Sequence, residues 1–231
     1  MTTLNATHKA IVNAQSVHQK NIYDAATYPY KVIKRNTGAK LGRVVKKTRL
    51  RGAKIYVLTL EERTTCDPDC EHWLDCYGNN MPFAHRFKAN TALLGAISKD
   101  LDDLDAKSRT YLVRLHILGD FYSLEYVDFW QDQLERRPLL NIYGYTRNTP
   151  NSRIPKYSAL GLSILNVRIK YPDRFAIRFS NDPSDKFSAN SEHVSQDGIV
   201  CPEQIGQTES CANCGLCWTM KEKPVIFLDH P

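Results

Sequence analysis

Hydrophobic and polar positions along the chain follow two periods in turn. The run 54–60, KIYVLTL, is β-branched and aromatic and predicts a strand. Residues 87–106 set Ala89, Leu93, Ala96, Ile97, Leu101 and Leu104 at helical spacing, which gives one apolar face. A second strand is predicted over 110–121, TYLVRLHILGDF, and a helix over 123–138. Ser123 can cap that helix, whose inward face is Val127, Trp130 and Leu134. A third strand over 139–148, a helix over 157–172 stopped by Pro172, and a fourth strand over 174–182 continue the pattern. A last strand is expected at 223–230. The apolar spacing around 8–20 is too loose to define a helix, and residues 1–37 read as an N-terminal arm.

Strands alternating with helices predict parallel βαβ units, because parallel neighbours need a crossover connection. The expected fold class is α/β, a partial (βα) barrel-like unit with a Cys-rich metal-binding segment at its C-terminal end. The expected organisation is one domain over 38–231, containing a basic segment at 38–54 and the Cys-rich segment at 199–219. A Ser/Asn/Asp-rich stretch over 181–198 is the one candidate for an internal boundary.

In such folds the loops leaving the carboxyl ends of the strands build the site. Five strand ends carry unusual residues: Cys66, Cys70 and Cys76; Gly119 and Asp120; Tyr145, Thr146 and Arg147; Ser180, Asn181 and Asp182; Asp229 and His230. Strict alternation would put Val113, Leu115 and Ile117 on one face of the second strand, with Arg114, His116 and Asp120 on the other. In the fourth strand Phe175, Ile177 and Phe179 oppose Arg178 and Ser180. The polar face either lines a lumen that binds a polar ligand or is simply wet. On the first reading Arg114, His116 and Arg147 surround a substrate.

Composition changes the picture at the cysteines. The chain has 231 residues and seven cysteines. No apolar run approaches the roughly 20 residues of a membrane span, and the N-terminus lacks a basic-then-apolar leader. No membrane association is expected, and a soluble cytoplasmic protein follows from this reading. In a reducing compartment two tight clusters of thiols favour metal over disulfides.

Cys201, Cys211, Cys214 and Cys217 form C-x9-C-x2-C-x2-C. A [4Fe-4S] cluster and a structural zinc each take four thiolates, and the repeated C-x2 step is nearer to ferredoxin spacing. The upstream trio Cys66, Cys70 and Cys76 lacks a fourth thiol. It can hold three irons of a second cluster and leave one open, recruit His72 or His85 for zinc, or share ligands with the other group.

Charge points to a partner. Between Lys31 and Lys54 lie ten Lys or Arg and no acid. Lys46, Lys47, Arg49 and Arg51 are the densest part, and a nucleic acid backbone would match them, although a solvated loop carries the same charges.

The trio loop, RLHILGDFYSLEYVDFW, YGYTRN, CPEQIGQTESCANCGLCW and the terminal FLDH together resemble the phage- and prophage-associated family called gene product eighty-eight, over roughly Gly38 to His230. A wider similarity is to the radical S-adenosylmethionine enzymes. It implies that Cys66, Cys70 and Cys76 hold a cluster, that Gly119 and Asp120 meet the ammonium of S-adenosylmethionine, and that Ser180 and Asn181 face its ribose. Cys201, Cys211, Cys214 and Cys217 would then hold an auxiliary cluster. The x5 step between Cys70 and Cys76 and the short GD element depart from that pattern. The expected function is that of an iron-sulfur enzyme acting on a nucleic acid or nucleotide, or of a metal-dependent nucleic-acid binder without catalysis.

Overall fold

A computed structural model of the chain describes residues 2–220 and 223–228. Its main sheet has five strands: β2 (Lys34–Arg35), β3 (Lys54–Val57), β5 (Tyr111–Leu115), β6 (Leu140–Thr146) and β7 (Phe175–Phe179), in the order β2-β3-β5-β6-β7. The last four are mutually parallel, while β2 runs antiparallel to β3. The helices α2 (Thr91–Asp105), α3 (Leu124–Arg136) and α4 (Pro155–Lys170) fill the crossovers.

The helix starts were written locally. Asn90 accepts from the Leu93 amide and Ser123 from the Tyr126 amide, while α4 begins at Pro155, which needs no amide partner there. Because each crossover leads to the next strand in order, all three helices lie on one face. Leu93, Ile97, Leu101, Val127, Trp130, Leu134 and Ile164 pack there on Val113, Leu115, Ile142, Phe175 and Ile177. Trp130 is fully buried, so truncating it to Ala costs about 3–5 kcal/mol.

The expected barrel does not form. The sheet is open, with β2 and β7 as its edges. On the face away from the helices, where a lumen would lie, two irregular segments pack instead: Leu41, Val45, Leu50 and Ala53 from the basic segment, and Ala212, Cys217 and Trp218 from the Cys-rich one. They cover Ile55, Leu112, Tyr143 and Ala176, so the sheet is buried on both sides. The parallel α/β class stands without closure.

Other expectations are also corrected. The last strand is β10 (Val225–Phe227), and it joins β8 (Ala189–Ser191) and β9 (Ile199–Val200) in a separate parallel sheet rather than the main one. Asp229 and His230 lie outside the described residues. The arm contributes a four-residue helix, α1 (Lys9–Val12), and a two-residue strand, β1 (Ile22–Tyr23), paired with β4 (Arg86–Phe87). The arm is tied down by Ser16, whose hydroxyl donates to Glu62 at 2.6 Å.

Candidate functional site

The trio Cys66, Cys70 and Cys76 sits on the long loop that leaves β3. Arg63, almost fully buried, pins this loop from inside by donating to the Trp73 carbonyl, the Gln15 carbonyl and Asn79 Oδ1. Hydrogen bonds donated by the Cys66 amide to the Arg63 carbonyl and by the Cys70 amide to the Asp67 carbonyl set short turns around the thiols. Cys66 and Cys70 lie within electrostatic reach of each other, of Cys76 and of Asp120 at the end of β5, whereas Cys76 sits by Glu62, Arg63 and Arg86. Burial raises all three thiol pKa values, that of Cys70 to about 11.

Gly119 makes that meeting possible. Its φ is +81°, and a Cβ there would lie 2.6 Å from both Leu60 Cβ and Thr65 Oγ1. The chain can therefore fold Asp120 down against the trio loop, where its amide donates to Thr65 Oγ1 at 3.2 Å. The Asp120 carboxylate is 5% exposed and accepts three bonds, from the Phe121 amide, the Thr146 hydroxyl and the Arg147 amide. Burial pushes its pKa up to about 6 against those bonds. Asp120 thus knits the ends of β5 and β6 together beside the thiols.

Arg147 follows directly and sends its charge toward Cys70 and Glu71, with Nε buried and unbonded. From the end of β7, Asn181 donates to Glu71 Oε1 at 2.7 Å, which closes the rim. Glu71 escaped the sequence reading; its place inside a cysteine loop was the available signal. Ser180 continues β7, its amide donating to the Thr146 carbonyl at 2.7 Å. His85 is engaged elsewhere, by the Tyr28 hydroxyl at 2.6 Å and Lys34 Nζ at 2.8 Å, and His72 lies exposed beside Asp75.

Arg114, His116 and Arg147 do not converge. Alternation holds only as far as Leu115, where β5 ends. His116 turns to the helix face instead of sharing the Arg114 side: it stacks on Tyr126 and its Nε2 lies 2.9 Å from that hydroxyl. Desolvation there drives its pKa down to about 3, so it is a neutral core residue.

Arg114 belongs to the second cysteine group. Strand register sets Arg114 opposite Tyr143 and Tyr145 opposite Arg178, a square of two cations and two phenols on the face under the Cys-rich segment. Above it Cys211 and Cys214 bound the one-turn helix α5 (Cys211–Cys214), Gly215 ends it at φ +76°, and Cys217 follows in a 3-10 turn. Cys201 enters from the end of β9, its amide bonded to the Ile226 carbonyl at 2.8 Å. All four cysteines line one cavity of about 10 Å³, room for roughly one water-sized occupant.

No disulfide joins these thiols, and burial lifts Cys211 to about 12. Among the described residues no three His, Cys, Asp or Glu side chains converge as a ready single-ion site. The electrostatics nevertheless fit a bound cation–thiolate unit. Arg178 is completely buried, yet it donates to carbonyls of Leu216, Cys217 and Phe187 rather than to a carboxylate. Arg114 interacts with Cys211 and Cys217 and leaves Nε buried without a partner. Four thiolates around zinc or a [4Fe-4S] cluster carry a net charge of about −2, which two guanidinium groups would balance.

Lys46, Lys47, Arg49 and Arg51 are all exposed on the loop that packs over this second group. No helix among the described residues is long and apolar enough to cross a membrane.

Fold and site define a parallel α/β protein with two separate cysteine groups, one at the strand ends and one on the opposite face of the sheet from the helices. The profile of the gene product 88 family matches residues 31–220, and the chain belongs to this phage-associated family. No curated protein and no solved structure matches it.

Proposed function

We propose that the protein is an iron-sulfur enzyme acting on a nucleic acid or nucleotide, with its reaction centre at Cys66, Cys70 and Cys76 and a second, auxiliary centre at Cys201, Cys211, Cys214 and Cys217. The observation that carries this reading is that two thiols of an incomplete set of three, Cys66 and Cys70, meet Asp120, with Arg147 beside Cys70, at the ends of parallel strands. Three thiolates leave a coordination position open to a ligand, whereas four close the shell. A [4Fe-4S] cluster bound there supplies one-electron chemistry.

The chain's own residues have defined tasks around it. Asp120 fixes the end of β6 and, with Gly119, borders the space beside Cys66 where an amino group of S-adenosylmethionine could be met. Arg147 offers a cation beside Cys70 for an anionic ligand group, and Asn181 and Ser180 offer hydrogen-bonding groups from β7. The exposed Lys46, Lys47, Arg49 and Arg51 supply attraction for phosphates.

Zinc at the C-terminal group, in a nucleic-acid binder without catalysis, is the second reading. What favours it is that all four cysteines border one cavity of about 10 Å³, too small to take a cubane without rearrangement.

Anaerobic purification followed by an iron, zinc and sulfide count per chain distinguishes the two, together with an assay for reductive cleavage of S-adenosylmethionine. Iron and sulfide with cleavage that is lost in Cys70→Ala supports the enzyme. A colourless protein holding zinc alone overturns it.

A further inference from the structure

We infer that the Cys201–Cys217 centre is the fastener of the basic loop 40–53, so that this loop presents a shaped nucleic-acid surface only while the four thiols are bridged. The inference rests on the proposal that those thiols hold a metal, and it adds a task for that centre.

The loop has almost no regular structure of its own. On the β3 side it is closed by its own bonds, from the Val45 amide to the Ala53 carbonyl, the Gly52 amide to the Val45 carbonyl and the Ile55 amide to the Arg43 carbonyl. On the other side it is held by α5, where the Cys211 amide donates to the Lys40 carbonyl at 2.9 Å, the Ala212 amide to the Leu41 carbonyl at 3.0 Å, and the Lys46 amide to the Ala212 carbonyl at 2.9 Å. Side chains repeat the attachment, since Leu41, Val45, Leu50 and Ala53 are buried against Ala212, Cys217 and Trp218. At Gly42 the approach is so close that a Cβ would lie 2.6 Å from Ala212 Cβ.

α5 cannot supply this anchorage alone. A helix of four residues has essentially no intrinsic stability, because nucleation is never repaid by propagation. Two of those four residues are Cys211 and Cys214, with Cys217 three positions on, so bridging the thiols is what would make the turn rigid. On its α5 side the loop inherits that rigidity through three hydrogen bonds and one apolar patch, and the bonds to β3 fix only its base.

The outward side of the loop is all cation. Arg43, Lys46, Lys47, Arg49 and Arg51 are exposed, and none of them forms an ion pair with a described residue. A cleft of about 330 Å³ opens between Thr48, Arg49 and Leu50 of the loop and Pro172, Asp173, Trp218 and Thr219, with Asp173 the one acid in its wall. One wall of the cleft is the loop and another is the neighbour of Cys217, so its width depends on the fastening. Cations held in fixed positions bind a phosphate chain better than the same cations on a slack loop, because less ordering remains to be done on binding.

The test uses the full chain, first as purified with its metal counted, then after anaerobic removal of metal, with a mixed-sequence single-stranded DNA as probe. Amide hydrogen exchange at Lys46 and Ala212 is read alongside affinity. Metal removal is expected to speed exchange at these two amides at least tenfold and to weaken binding about tenfold, with β5 and β6 amides still protected. Gly42→Val wedges the loop from α5 without touching a thiol; it is expected to keep the metal count and lose the affinity.

A chain that carries no metal as purified overturns both this inference and the reading beneath it. A metal-bearing chain whose loop exchange and affinity do not change on stripping, or whose Gly42→Val variant binds normally, overturns the fastener alone.

Discussion

The Tyr145 hydroxyl donates a hydrogen bond to Cys217 Sγ across 2.9 Å, joining β6 of the main sheet to the Cys-rich segment. A thiolate is a better acceptor than a thiol, so this bond strengthens when Cys217 loses its proton to a metal. Tyr145→Phe is expected to destabilise the metal-loaded protein by about 1–3 kcal/mol and to speed metal loss to a chelator, with the helix side of the fold unchanged. The chelation rate followed by absorbance checks it; an unchanged rate argues that Cys217 is not a ligand.

Arg178 gives a sharper test of charge. With its thiol neighbours protonated, the buried guanidinium donates to carbonyls alone, and the nearby Asp185 is already bonded to Arg168; bridged thiolates add counter-charge. Arg178→Met is therefore expected to cost about 3–5 kcal/mol in metal-loaded protein and clearly less after metal removal. Denaturant unfolding of both proteins in both states closes the cycle. Equal losses with and without metal would mean that Arg178 serves packing only.

The helix-covered half of this fold was legible in the sequence, and the other half was not. Val127, Trp130 and Leu134, or Phe175, Ile177 and Phe179, announce their buried faces by period alone. Period could not say that β10 would leave the main sheet, since an apolar run such as VIF at 225–227 can pair with the two short strands β8 and β9 as readily as with β7. Nor could it foresee the plug: Leu41, Val45 and Leu50 are too irregularly spaced for any element, yet they bury the sheet's second face. His116 was misassigned because alternation was extended one residue past the end of β5. The cysteine groups were visible from spacing, while their partners Tyr145, Arg178 and Glu71 needed the register between strands and the path of a loop.

The basic loop makes a prediction about salt. Each phosphate neutralised by one cation contributes close to one unit to the slope of log affinity against log salt. Replacing Lys46, Lys47, Arg49 and Arg51 together by Ala is expected to flatten that slope by up to about four units and to weaken binding to all sequences alike. All four are exposed, so thermal stability should hardly move. A slope equal to that of the unaltered chain would assign the loop to solvent.

His116 and Asp120, four residues apart, pull the pH dependence of stability in opposite directions. His116 is held neutral in the fold down to about pH 3, while in the unfolded chain it gains a proton below about 6.5. The unfolded state then binds the extra proton, and stability falls as pH drops through that window. Asp120 keeps its proton in the fold up to about pH 6 but loses it near 3.9 when unfolded, so its contribution rises as pH drops between those values. Between about pH 4 and 6 the two slopes cancel, each being at most about 1.4 kcal/mol per pH unit. His116→Phe in metal-free protein removes one of them. Relative to the unaltered chain, its stability should climb steadily as the solution is taken from pH 6 to pH 4. A constant difference across that range would show that the His116 ring is protonated in the fold, and the stacked arrangement on Tyr126 would have to be abandoned.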